Sequence, residues 1–170
     1  MELEKDESAK GEFVVEQHLF ANLMDHISDS VYFKDLESRF IAISRTLARR
    51  FGLADPSEAI GKTDYDFFGA EHADQAFQDE QKIIRTGKPI IDIEERETWP
   101  DGHETWVSTT KIPLRAPDGK IIGTFGISRD ITKRKQMEQR LRENEEQLRQ
   151  YVQSLEDDLE RARVIQKSLL

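Results

Sequence analysis

From Thr132 to Leu170 the chain runs 39 residues without a Gly or a Pro. That run, opened by Thr132 as a side-chain cap, predicts one continuous helix. At 1.5 Å per residue it is roughly 55 Å long, too long to fold back on a small domain. Leu141, Leu148, Leu155, Ala162 and Leu169 recur every seven residues and mark one coiled-coil position. The companion row is divided. Three residues on stand Asn144, Tyr151, Asp158 and Ile165; four residues on stand Glu145, Val152, Leu159 and Gln166. The apolar stripe either drifts or offers two registers of similar energy. An isolated helix with one apolar seam is marginal in water, so a parallel homodimer is expected. The last stretch, "ERARVIQKSLL", carries no stop signal. An output domain beyond it is therefore expected.

The other residues bound what the rest can be. A chain of 170 residues fits one domain plus an appendage. Residues 133–170 are close to neutral, at +1, and residues 1–12 sum to −3. The net charge of −9 therefore falls mainly on the middle, which carries −7. Such a domain repels phosphates, so nucleic acid and anionic lipid are poor partners. With no cysteine, disulfides, thiolate catalysis, Cys-based metal sites and a cysteinyl-flavin adduct are excluded. "MELEKDESAKGE" lacks the apolar segment of a signal peptide. No run of about 18 apolar residues occurs. A soluble, cytoplasmic protein is expected.

Residues 1–12 read as a disordered tail. From Phe13, Val15, Leu19, Leu23 and Ile27 fall four apart and predict an amphipathic helix over 13–29. Strands are predicted near 30–34 and 39–43, then a short helix closed by Gly52. A longer helix, "EHADQAFQDEQKIIRT", ends at Gly87 and Pro89. Strands near 90–99, 104–114 and 121–130 follow, joined by turns that each hold Pro-Asp-Gly. Strands at both ends with helices between them fit an antiparallel sheet with helices on one face, the α+β class.

The order of these pieces, with their residues, resembles a PAS domain. The matching stretches are "DSVYFKDLESRFIAISRT" at 30–46 with its Asp at 29, "IGKTDYDFF", "TGKPI", "TWVSTTKIPL" and "GTFGISRDITKRK". Asp130-Ile131-Thr132 is similar to the Asp-Ile-Thr signature that closes PAS cores. The resemblance implies a five-stranded sheet over 30–132, a ligand or signal pocket between sheet and helices, and a sensory role without catalysis. Residues 133–170 would be the signalling helix. "ARVIQKSLL" resembles the helix that enters metal-dependent serine/threonine phosphatase domains acting on bacterial sigma-factor regulators. Ala162, Ile165, Gln166, Leu169 and Leu170 match that pattern; an ordinary coiled coil is the alternative.

Other constellations carry less. Gly61-Lys62-Thr63 lacks the glycine a phosphate loop needs five residues before Gly61, where Pro56 stands. The four histidines have no metal spacing. His72 occupies a place where haem-binding PAS domains put an axial ligand, but Glu71 and Asp74 flank it and haem is disfavoured. Asp64, Asp66, Asp92, Glu94, Glu95 and Glu97 read as a solvated face rather than paired carboxylate chemistry. Strand alternation groups Trp106, Ser108, Thr110, Ile112 and Leu114 on one face, and Ile121, Gly123, Phe125 and Ile127 on another. With those faces turned inward, Phe40, Phe51, Phe67, Phe77, Ile84 and Phe125 line an apolar pocket whose polar groups are Ser108 and Thr110. A small ligand or a filled core fits equally.

The expected function is a sensory and dimerisation module of a bacterial signalling protein. It relays a ligand or partner signal through a coiled coil to a serine/threonine phosphatase, with Asp130 and Thr132 as relay residues. The alternatives are a module serving a histidine kinase or a cyclic-dinucleotide cyclase, and a ligand-free dimerisation scaffold.

Overall fold

A computed structural model describes residues 2–168, with side chains from 14 to 168. It divides into two compact units, one ending at Ile131 and one beginning at Thr132. The first unit begins with α1 (Glu2–His26). The tail expected at 1–12 is thus largely helical, which its Glu, Lys and Ala residues favour. The face of Val15, Leu19 and Leu23 does not pack on this chain: those residues are 57%, 66% and 56% exposed. Contact is made instead by buried Met24 and by Phe20, whose ring meets Phe33 edge-on at 5.8 Å.

Next come β1 (Ser30–Lys34), β2 (Phe40–Ile43), α2 (Arg45–Arg50), two 3₁₀ turns at Pro56–Ala59 and Asp64–Asp66, and α3 (Ala70–Thr86). The unit closes with β3 (Ile90–Thr98), β4 (Glu104–Arg115) and β5 (Ile121–Asp130). Local chemistry sets these bounds. The Ser44 hydroxyl caps α2 by accepting from the Leu47 N–H. Gly87 ends α3 in the left-handed region, φ 67°. The expected turns reverse the chain between β3 and β4, where the Trp99 N–H donates to His103, and between β4 and β5, where Ala116 donates to Lys120.

The five strands form one antiparallel sheet in the order β2-β1-β5-β4-β3. The chain termini of the sheet, β1 and β5, are therefore neighbours at its centre. One face packs on α2, α3 and the 3₁₀ turns around Tyr32, Phe40, Ile43, Leu47, Phe67, Phe68 and Trp99. Burying an apolar side chain of this size contributes about 1.5–3 kcal/mol. The other face carries Phe33 stacked on Phe125 at 4.7 Å.

The second unit is the single helix α4 (Thr132–Ser168), with no buried residue. Leu141, Leu148 and Leu155 of the expected seam are all exposed, as is Ala162. Leu169 and Leu170 lie outside the described residues. Arg134 and Lys135 in the first turn are held by Glu138, Arg134 at 3.0 Å.

Candidate functional site

The sheet's helix-covered face is polar at its centre. Pairing places Ser30, Tyr32 and Lys34 of β1 opposite Ser128, Gly126 and Thr124 of β5, and Thr109 and Lys111 of β4 opposite Ser128 and Gly126. Glu95 and Glu97 come from β3, Asp64 from the second 3₁₀ turn, and Glu80 from α3. Of these groups, Ser30, Asp64, Glu80, Glu95, Glu97, Lys111 and Ser128 line a cavity of about 30 Å³ together with the rings of Tyr32, Phe40, Phe51 and Phe68. Gly126, paired with Tyr32 across the strands, is required for a steric reason. A Cβ there would lie 2.1 Å from Cζ of Tyr32, so only glycine lets that ring lie across the strand.

Lys34 is the hub. Its ammonium donates to Asp64 and, at 2.6 Å, to Oε1 of Glu80, and lies 4.5 Å from the centroid of the Phe40 ring. All three charged residues are buried. Burial pushes the Lys34 pKa down, but the Asp64 and Glu80 charges more than offset it and hold it above the usual lysine value. Burial pushes the Glu80 carboxyl up; Lys34 opposes that and the Asp64 charge adds to it. Burial also drives the Tyr32 phenol well up, reinforced by Glu80, Asp64 and Glu95. A pair of buried charges whose partner is removed is strongly destabilised. Lys34 therefore holds two carboxylates that would otherwise repel.

Three further ion pairs extend the site. Lys111 donates to Glu95 at 3.1 Å and to Asp79 at 3.4 Å. Arg50 from α2 pairs with Glu97, and its other nitrogen donates to Ser30 at 3.2 Å. Thr105 accepts from Trp99 Nε1 at 2.9 Å and donates to Glu97 at 2.7 Å.

Of the residues expected to line a pocket, Phe40 and Phe51 do so, and Phe67 stacks behind Phe51 at 3.9 Å. Phe77 is 40% exposed on α3 and Ile84 is half-buried away from the cavity. Ser108, Thr110 and Phe125 sit on the opposite face. Thr110 accepts from the Asp92 N–H at 3.1 Å, and Phe125 packs on Phe33. The alternation was sound but assigned to the wrong side: Thr109 and Lys111 point inward. The acidic stretch splits by the same alternation. Asp92 and Glu94 are solvated, whereas Glu95 and Glu97 turn in, and Asp64 is buried too. His72 is half-buried and lines the cavity beside Phe68, ring centroids 4.6 Å apart, rather than facing water. A cavity this small has no room for a porphyrin. Among the described residues no group of His, Asp or Glu is arranged to hold a metal ion, and no helix is long and apolar enough to cross a membrane.

The model of the PAS fold matches residues 24–136. The chain belongs to the PAS-fold family. This PAS domain is 29% identical, over 126 residues, to the methanogenesis regulatory histidine kinase FilI of Methanothrix harundinacea; the match covers 74% of this chain and 14% of the kinase. It is similar to the VqmA of Vibrio cholerae solved as a ligand–DNA complex, at 28% identity and a TM-score of 0.59, covering 69% of this chain and 50% of that one. It shares the fold of a Colwellia psychrerythraea PAS domain, at 22% identity and a TM-score of 0.57, covering 71% of this chain and 98% of that one. The chain thus spans half or less of the kinase and of VqmA. PAS domains are regulatory rather than catalytic modules, and this one is a sensory module of the kind found in signalling proteins.

Proposed function

We propose that this chain is the sensory input part of a cytoplasmic signalling protein, in which occupancy of the polar cavity is relayed along β5 into a dimeric coiled coil. One observation carries the reading. β5 contributes Ser128 to the cavity wall and is followed, after Ile131 alone, by α4. No Gly or Pro lies between Ser128 and α4 to absorb a movement. The output driven by α4 is a serine/threonine phosphatase, supported by the pattern Ala162, Ile165, Gln166 at helical spacing. A histidine kinase output is the second reading, favoured by the likeness to FilI.

Insertion of Gly-Gly after Ile131 in the full-length protein tests the relay. Phosphate release from a phosphoserine protein and autophosphorylation from ATP are measured side by side. The insertion is expected to abolish regulation while leaving a constant basal rate. Unchanged regulation would sink the relay, and the assay that responds identifies the output.

A further inference from the structure

The cavity walls hold more acid than base. Asp64, Glu80, Glu95 and Glu97 line the cavity. Asp79 joins them through its contact with Lys111. The cations that meet these five carboxylates are Lys34, Lys111 and Arg50. Counting these carboxylates and cations alone, without His72, two negative charges are left over when all are ionised. The surplus has a definite address. Oε1 of Glu80 accepts from Lys34, but Oε2 has no donor within normal hydrogen-bond geometry, although the Ser38 hydroxyl is near enough to oppose the upward push on the carboxyl, and the residue is 1% exposed. A buried carboxylate oxygen without a donor is costly, and native structures seldom leave one so. The upward push on the Glu80 carboxyl has the same origin: burial that a shared lysine does not offset.

The surroundings define what would satisfy that oxygen. Tyr32, Phe40, Phe51 and Phe68 line the cavity, and the Lys34 ammonium already lies over the ring faces of Tyr32 and Phe40. Such faces attract cations. An anion would meet the negative surplus, and the ammonium groups of Lys34 and Lys111 are each engaged by two carboxylates. About 30 Å³ is space for roughly two water molecules, so the recognised group is small. A metal ion is not favoured, because no metal-holding cluster exists among the described residues.

We infer that the cavity recognises a compact organic cation bearing N–H donors, which bonds to Oε2 of Glu80 and packs against the aromatic walls. This rests on the cavity being the sensing site proposed above.

Acetamidinium, acetamide and acetate test it, because they share one shape and differ in charge. Each is titrated into the 170-residue protein at neutral pH and fixed ionic strength, with binding read from amide chemical shifts around the cavity. Acetamidinium is expected to bind at least about tenfold more tightly than acetamide, the value of one charge-assisted hydrogen bond, and acetate not at all. In Glu80→Gln, the acetamidinium affinity should fall by at least about tenfold while that of acetamide holds within about twofold. A merely structural effect of the substitution would weaken both alike. Tighter binding of acetate, no shift with any of the three, or an undiminished cation preference in Glu80→Gln would each overturn the inference. The relay is judged separately, since the Gly-Gly insertion reads output in the full-length protein whatever occupies the cavity.

Discussion

Glu80 concentrates the tension of the site in one carboxyl. Burial raises its pKa above the ordinary value, so the folded state binds its proton more tightly than the unfolded chain does. The linked stability is fully present below the unfolded carboxyl pKa and is lost as pH rises through the folded value. Glu80→Gln has no such proton. Its stability relative to wild type is therefore expected to improve as pH rises above the ordinary carboxyl range, as measured by urea unfolding over a series of pH values. A constant difference across that series would show that Glu80 does not titrate there. This residue is also where sequence reasoning failed. Lys34, Glu80, Glu95, Glu97 and Lys111 look like ordinary surface charges in a chain that is 35% charged. Period-two alternation separates Ser108 and Thr110 from Thr109 and Lys111, but it cannot say which set is inside. Here both faces of the sheet carry aromatic residues, Phe40 and Tyr32 on one and Phe33 and Phe125 on the other.

At the scale of elements, the strands were legible because their ends are written in local chemistry. Gly102 and Gly119 take positive φ in the two Pro-Asp-Gly turns, and Gly87 does so behind α3. The start of α1 was not legible, because Glu- and Lys-rich segments suit a solvated helix and a tail alike. In α4 the two candidate seam rows differ in the middle of the helix. Leu148, Val152, Leu155 and Leu159 form a regular three-and-four spacing there, and they are 63%, 45%, 45% and 62% exposed. Side-chain pairs such as Arg134–Glu138 each add only a few tenths of a kcal/mol to an isolated helix. We therefore expect a second chain to cover the apolar row. The double substitution Leu148→Asp, Leu155→Asp is expected to convert the dimer to monomer in sedimentation equilibrium. It should leave the β-sheet circular dichroism intact, because no α4 residue is buried. A wild-type protein that sediments as a monomer at micromolar concentration would refute the dimer itself.

The whole molecule is joined at one place. β5 lies between β1 and β4 at the heart of the sheet, so a shift of the cavity wall at Ser128 is a shift of the central strand. That strand is held along its full length. The Ile131 N–H still donates to the Trp106 carbonyl at 2.8 Å, and Ile131 is buried. Arg129 ties the same end of β5 to Asp29, just ahead of β1, at 2.8 Å. Strand thus ends at Asp130, and the single residue between it and α4 is buried and hydrogen-bonded to β4. Thr132 opens α4, and Lys133, Arg134 and Lys135 follow it in the first turn. Three cations at a helix N-terminus each cost a few tenths of a kcal/mol when exposed. Glu138 relieves two of them, so the entry is weak but not without support. We therefore expect Asp130 and Thr132 to act together as the latch that sets how the strand enters the helix. Replacing both by Ala should leave thermal unfolding of the PAS domain within a few degrees of wild type, since neither side chain belongs to the core. In the full-length protein the same pair should flatten the difference in output between stimulated and unstimulated states. Normal amplitude in the double variant would reduce α4 to a spacer, and the two competing registers of its apolar stripe would then have no role in signalling.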